Sequence, residues 1–167
     1  MTGFAKSLTV FVVGLVVVFG LAACDERMPV STFRSFSETG WERTDTVVVA
    51  LDSLATPGRY VATVHVRLQV ARPYPFQELL LAVERDLTLS EDSLQALRDT
   101  TVDTLCIVTA SDQGDYVGRG VSVLEYASNP IKMNLPAGTS GRFVVRHLMT
   151  RTPLEGIREV GLTLRRE

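Results

Sequence analysis

From residue 59 to residue 70 the chain reads RYVATVHVRLQV, and apolar and polar side chains alternate. Tyr60, Ala62, Val64, Val66, Leu68 and Val70 fall on one face, and Val61, Thr63, His65, Arg67 and Gln69 on the other. Successive strand side chains point to opposite faces, so this pattern predicts a half-buried strand. DTVVVAL (45–51) is a β-branched run stopped by the turn signal Thr56-Pro57-Gly58. QELLLAVERDL (77–87) fits a strand or a helix by period alone. The prolines before it and the strands around it favour a strand. Further strands are expected at 103–109, 119–126, 131–134, 141–149 and 158–165, with turns at SDQGD, SNP and PAGTSG. The one helical expectation is SEDSLQALRDTT (90–101), read as a short surface helix inside a hairpin connection. Ser90 suits a cap, Glu91 and Asp92 a first turn, and Leu94 and Leu97 lie three apart.

The end of the chain, LEGIREVGLTL, predicts a turn at 154–157 and a last strand with Val160, Leu162 and Leu164 inward. Gly156 suits a positive φ in the turn. Gly161 suits a close approach or a bulge within the strand. Many short strands with Gly/Pro turns predict an all-β domain, a single antiparallel β-sandwich of Ig-like or jelly-roll-like kind.

The start of the chain has a different pattern. Lys6 is followed by an apolar stretch from Leu8 to Leu21, broken only by Thr9, and then by Ala22, Ala23 and Cys24. A positive n-region, an apolar core shorter than a spanning helix needs and small residues before the break form a cleaved N-terminal signal helix. Leu21-Ala22-Ala23-Cys24 resembles the bacterial lipobox, whose cysteine thiol is acylated before the chain is cut. Residues 1–23 are therefore read as a lipoprotein signal peptide and Cys24 as the lipidation site. Residues 24–39, which include Ser/Thr-rich STFRSFSETG, are read as a lipidated tether with Phe33 and Phe36 as docking points. The sandwich is expected over 40–167.

Composition adds little chemistry. There are two cysteines, and with Cys24 lipidated Cys106 has no internal partner. Its apolar run, DTLCIVTA, predicts a small buried hydrophobe. A net charge of −2 without a basic patch gives nucleic-acid binding no support, and no nucleic-acid partner is expected. His65 and His147 lack neighbours at metal-ligand spacing and are read as solvated or hydrogen-bonded. No G-x-S-x-G elbow is present. Gly118-Arg119-Gly120 lacks the strand–helix context of a dinucleotide site and is read as a turn or bulge. Asp112 and Asp115 around Gly114 are too few for a calcium loop. No cofactor, no metal and no enzyme activity are expected.

Several motifs run through the chain in a fixed order. Trp41 precedes DTVVVAL, and Tyr74-Pro75-Phe76 leads into QELLLAV. Asp103-Thr104-Leu105, then Gly114, Gly118 and Gly120, then Leu154-Glu155-Gly156-Ile157 and Val160-Gly161-Leu162 follow. With the lipobox cysteine and its acidic neighbours, this order resembles the gliding motility-associated lipoprotein H (GldH) family of Bacteroidetes-type bacteria. Tyr116 stands where that family tends to have Trp, and Thr150 separates Met149 from Arg151. The resemblance implies a lipid-anchored cell-envelope protein, attached to the outer membrane through Cys24. It implies a non-catalytic accessory or structural component of a gliding motility-type machinery, with other envelope proteins as partners. The alternative reading is a sugar- or peptide-binding envelope lipoprotein that uses Trp41, Tyr74, Phe76 and Tyr116 as an aromatic loop patch. Aromatics on an exposed patch favour the second reading, and aromatics in the core favour the first.

Overall fold

The computed structural model describes residues 30–90 and 96–167. The expected signal segment, the lipobox residues Leu21, Ala22, Ala23 and Cys24, and the 91–95 part of the expected helix lie outside the described residues. Within them the chain forms nine strands and no helix. They are β1 (Val30–Ser35), β2 (Val47–Leu51), β3 (Gly58–Gln69), β4 (Glu78–Ser90), β5 (Ala96–Val108), β6 (Val123–Ala127), β7 (Ile131–Leu135), β8 (Ser140–His147) and β9 (Ile157–Arg166). Two antiparallel sheets pack face to face, as expected of a sandwich. One has the order β1-β9-β3-β6, with β7 also on β3, and the other the order β2-β8-β4-β5.

The long alternating run sets the first sheet. β3 pairs with β9 along one edge, and its other edge is shared between β7 (at Gly58–Ala62) and β6 (at His65–Gln69). Ser128-Asn129-Pro130 breaks the outer strand between them, because Pro130 has no N–H to give a ladder. Ser128 covers the gap left at Val64. Its N–H donates to the Val64 carbonyl at 2.8 Å, and its hydroxyl accepts from the Val64 N–H at 3.1 Å.

The inward face of β3 meets the expectation at Tyr60, Ala62, Val64, Val66 and Leu68, all buried. Val70 lies beyond the strand and is exposed, while Val61 is buried on the opposite face between its ladder partners Lys132 and Arg165. In the second sheet Val47, Val49, Leu79, Leu81, Val83, Phe143 and Val145 point inward, and Val160, Leu162 and Leu164 of β9 meet them from the first sheet.

Three expectations are corrected. Residues 96–101 belong to β5 and pair with Arg85–Ser90 of β4, so the helix proposed over 90–101 does not continue there. Thr100, Thr101 and Val102 are β-branched and suit a strand, and Leu97 points to solvent instead of forming a helical stripe with Leu94. Cys106 is exposed, because Leu105 and Ile107 take the inward positions of its strand. The segment read as a tether contains β1, which pairs with β9 from Val30↔Leu164 to Ser35↔Glu159, so the sheet begins at Val30 and not at Gly40.

Gly161 explains how so polar a segment is held. A Cβ at that position would lie 2.4 Å from the Phe33 ring and 2.6 Å from the Thr32 carbonyl oxygen. The bare backbone lets Phe33 of β1 lie across β9, the packing of an aromatic over a strand glycine. Arg67 caps the ring, with its guanidinium carbon 4.7 Å from the centroid.

Two outcomes follow. Val64→Asp buries an unpaired carboxylate and is expected to cost more than about 4 kcal/mol, whereas Thr63→Asp on the half-buried face is expected to cost about 1 kcal/mol or less. Urea unfolding of both variants checks the ranking. Gly161→Ala forces β1 outward and is expected to cost roughly 1–3 kcal/mol, with faster hydrogen exchange confined to the β1 and β9 amides that pair. Unchanged exchange at β1 would remove the assigned role of this glycine.

Candidate binding surface

The four aromatics singled out in the sequence occupy two places. Trp41 is fully buried, and its backbone forms a bridge with Leu154, at 3.0 and 2.9 Å. Its indole N–H donates to the Asp45 carbonyl at 2.8 Å. Phe36 stacks on it at 5.1 Å, and His147 meets it edge-on at 5.1 Å. Trp41 thus closes one end of the core.

The other three gather around the 72–78 loop. Tyr74 is buried and donates to the Glu78 carbonyl at 3.0 Å, and burial pushes its phenol far above the ordinary tyrosine range. Phe76, half-buried, meets the Tyr74 ring edge-on at 5.5 Å. The Tyr116 hydroxyl donates to the Tyr74 carbonyl at 3.0 Å. Gly156 brings this loop against the turn before β9. Its φ is +82°, and a Cβ there would sit 2.6 Å from the Arg72 carbonyl oxygen. The set is therefore packing, with only Phe76 and Tyr116 partly open to solvent.

A concave surface that the sequence reading did not find lies elsewhere. An open groove of about 960 Å³ runs between the end of β5 and β6, lined by Cys106, Val108, Val117, Arg119, Glu125 and His65 among others. The 109–122 connection spans this side, and the Tyr126 hydroxyl ties it down by donating to the Thr109 carbonyl at 2.9 Å. Within that connection Ser111 and Gly114 form a turn, with the Ser111 hydroxyl accepting from Gln113 and Asp115. Cys106 is not an activated thiol. Desolvation and then the Glu78 carboxylate push it up, away from the thiolate that nucleophilic chemistry needs.

Many of the polar side chains on the two outer faces are engaged with one another. On the outer face of the first sheet Arg67 donates to Glu159 at 2.7 Å and to Glu125 at 3.4 Å, and Ser35 donates to the same Glu159. Arg67 holds Glu159 below the usual carboxylate range. His65 stands 3.3 Å from Glu125 and 3.1 Å from the Thr163 hydroxyl. On the second sheet Asp86 accepts both arms of Arg98, at 2.8 and 3.0 Å. Among the described residues no group of three or more His, Cys, Asp or Glu is placed to hold a metal.

His147 departs from its expected setting. It is buried, and neither ring nitrogen has a hydrogen-bond partner, although the backbone of Trp41 and Glu42 runs close to the ring. Burial, then the Arg43 cation, hold it below the ordinary histidine value. The folded protein therefore keeps this ring neutral while the unfolded chain takes up a proton below about pH 6.5. Its contribution to stability is complete above that pH and is lost as the pH falls towards the folded value. The carboxylates held low by their arginines lose their contribution in a more acidic window. Thermal melting is expected to fall by a few degrees between pH 7.5 and pH 5, and His147→Phe is expected to flatten this slope. An unchanged slope in the variant would assign it to other groups.

The fold can now be set beside known proteins. No curated protein matches the chain. Among solved structures it is similar to the K1 cleaved adhesin domain of Lys-gingipain from Porphyromonas gingivalis W83. The identity is 15%, the match covers 82% of this chain and 74% of that one, and the TM-score is 0.33. The K3 cleaved adhesin domain of the same protein gives 19% identity, covers 71% and 63%, and has a TM-score of 0.30. Scores this low carry no functional argument. The model of the family described as GldH lipoprotein matches residues 29–164, from the threshold of β1 into β9, and the chain belongs to that family.

Proposed function

We propose that the chain is a lipid-anchored cell-envelope protein, held in the outer membrane by acylated Cys24. It acts as a non-catalytic accessory or structural component of a gliding motility-type machinery. The observation that carries this reading is the GldH lipoprotein match over residues 29–164 directly behind the LAAC sequence. Each buried methylene of an acyl chain contributes about 0.8 kcal/mol, so a single chain is marginal and the two or more of a bacterial lipoprotein anchor stably. Residues 25–29 span at most roughly 18 Å when fully extended. The sandwich therefore rides close to the bilayer surface, within reach of other envelope proteins on the same membrane. The role proposed is to hold and present surfaces. The side chains able to do chemistry, Arg67, Glu159, Asp86 and His65, are tied into cross-strand contacts. With Trp41 and Tyr74 in the core, an aromatic loop patch for sugars or peptides has little to work with.

Cys24→Ser in the full chain is expected to abolish labelling by radioactive fatty acid and to leave the precursor uncut or the protein soluble. It should fail to complement a deletion strain even when abundance matches the parent. Labelling and membrane association equal to the parent would sink the anchor, and full complementation by a soluble variant would sink the membrane-bound role.

A further inference from the structure

The edges of a sandwich are where another chain can add a strand, and natural proteins blunt them with short strands, prolines, lysines or bulges. Most edges here are blunted. β1 and β2 are short and lie side by side, with Arg34 reaching from β1 to the Thr46 carbonyl and to Asp45. β6 and β7 are five residues each. β5 differs. It is 13 residues long, contains no proline or lysine, and runs in unbroken register with β4 over its whole length. Its other edge has no strand among the described residues.

The three charged side chains of β5 do not guard that edge, because each turns back to β4. Arg98 holds Asp86 with both arms. Asp103 lies 3.0 Å and Asp99 4.0 Å from the Arg85 guanidinium, and Thr101 donates to Asp99. What remains exposed is Leu97 on one face and Thr100, Val102, Thr104, Cys106 and Val108 on the other.

We propose that two copies of this chain associate edge to edge through β5, antiparallel, about a two-fold axis at Val102. This would join two four-stranded sheets into one continuous sheet. A two-fold contact must be complementary to itself, and the sequence of β5 is so in one register. Centred on Val102, the two strands overlap along their full length. Val102 then faces its own copy, Thr100 faces Thr104, Thr101 faces Asp103, Asp99 faces Leu105 and Arg98 faces Cys106. No like charges oppose. Moving the centre to Thr101 sets Asp99 against Asp103, and moving it to Asp103 sets that carboxylate against itself. Like charges directly opposite are destabilising in a ladder. Charge therefore selects the register that also pairs the most backbone. The association does not depend on the nature of the membrane anchor.

Cysteine crosslinking of the full chain in its own membranes tests both the contact and the register. Directly opposed residues have Cα atoms about 4.5–5.5 Å apart, within disulfide reach. Val102→Cys in a Cys106→Ser background is expected to give a covalent dimer under copper-phenanthroline oxidation, well above Cys106→Ser alone. Arg98→Cys with native Cys106 is expected to crosslink as well, because 98 faces 106 across the axis. Val48→Cys in the Cys106→Ser background is exposed but lies on β2, at the opposite edge of the same sheet, and is expected to stay monomeric. Absence of the Val102→Cys dimer overturns the proposal. So does an equal yield from Val48→Cys, or an adduct of Val102→Cys with a protein of different mass in place of the dimer. A dimer through Val102→Cys without one through Arg98→Cys overturns the register.

Discussion

β9 enters the first sheet between β1 and β3, so the last ten residues of the domain supply two ladders at once. Among the described residues β1 has no other strand partner, and its one large apolar side chain rests on the bare backbone of Gly161 in β9. The segment nearest the proposed anchor is therefore held by a strand far along the chain, with Phe33 opposite Gly161. The sheet cannot complete until β9 is available. Pairings this distant in sequence carry a large loop-closure cost before they gain contacts, which makes such topologies slow to fold. It also means that a pull on the N-terminus loads the β1–β9 ladder first, and through it the centre of the sheet.

The polar side chains follow the same logic of strand against strand. Arg67 sits between Glu159 and Glu125, so one cation links three strands, β9, β3 and β6. Asp86 does the converse, taking Arg98 from β5 and Arg142 from β8. Exposed pairs of this kind contribute little to stability one at a time. Their effect is on register, because a slip of one residue would turn each pair to the wrong face. Groups so committed are poor candidates for acid–base work, which needs a side chain free to meet substrate. Their arrangement accords with a protein whose outer faces are fixed shapes.

How much of this was legible depends on how strongly each residue's surroundings are set by near neighbours. The faces of β3 and β9 could be read because alternation is local and burial on one side is complete from Tyr60 to Leu68 and from Val160 to Leu164. Val61 could not, since its cover comes from β7 and β9, which are far along the chain. β1 was invisible for a related reason. VSTFRS has two apolar residues in six, and what makes it a strand is Gly161, 128 positions beyond Phe33. The Leu94 and Leu97 spacing suggested a helix, but β-branched residues after it and the long complementary strand β4 decided for a hairpin. Trp41 and Tyr74 stood out as recognition residues because large aromatics in loops often are. The loops here fold back over the ends of the core, and the rings fill it.

The two long sides of the sandwich end up unlike each other. One is shut, where β1 and β2 meet under Arg34. The other is open along β5 and the groove beside β6, spanned only by the 109–122 connection and the Tyr126–Thr109 hydrogen bond. The shut side carries Val30, the first described residue, and so is the side nearer the anchor proposed at Cys24. A domain held close to a surface by one side has its opposite side free to meet neighbours. On this molecule that free side is the one with the long strand edge, the exposed valines and the groove beside β6. At the closed side the two edge strands are both short, five and six residues, and meet, whereas at the open side the thirteen-residue β5 runs well past the five-residue β6.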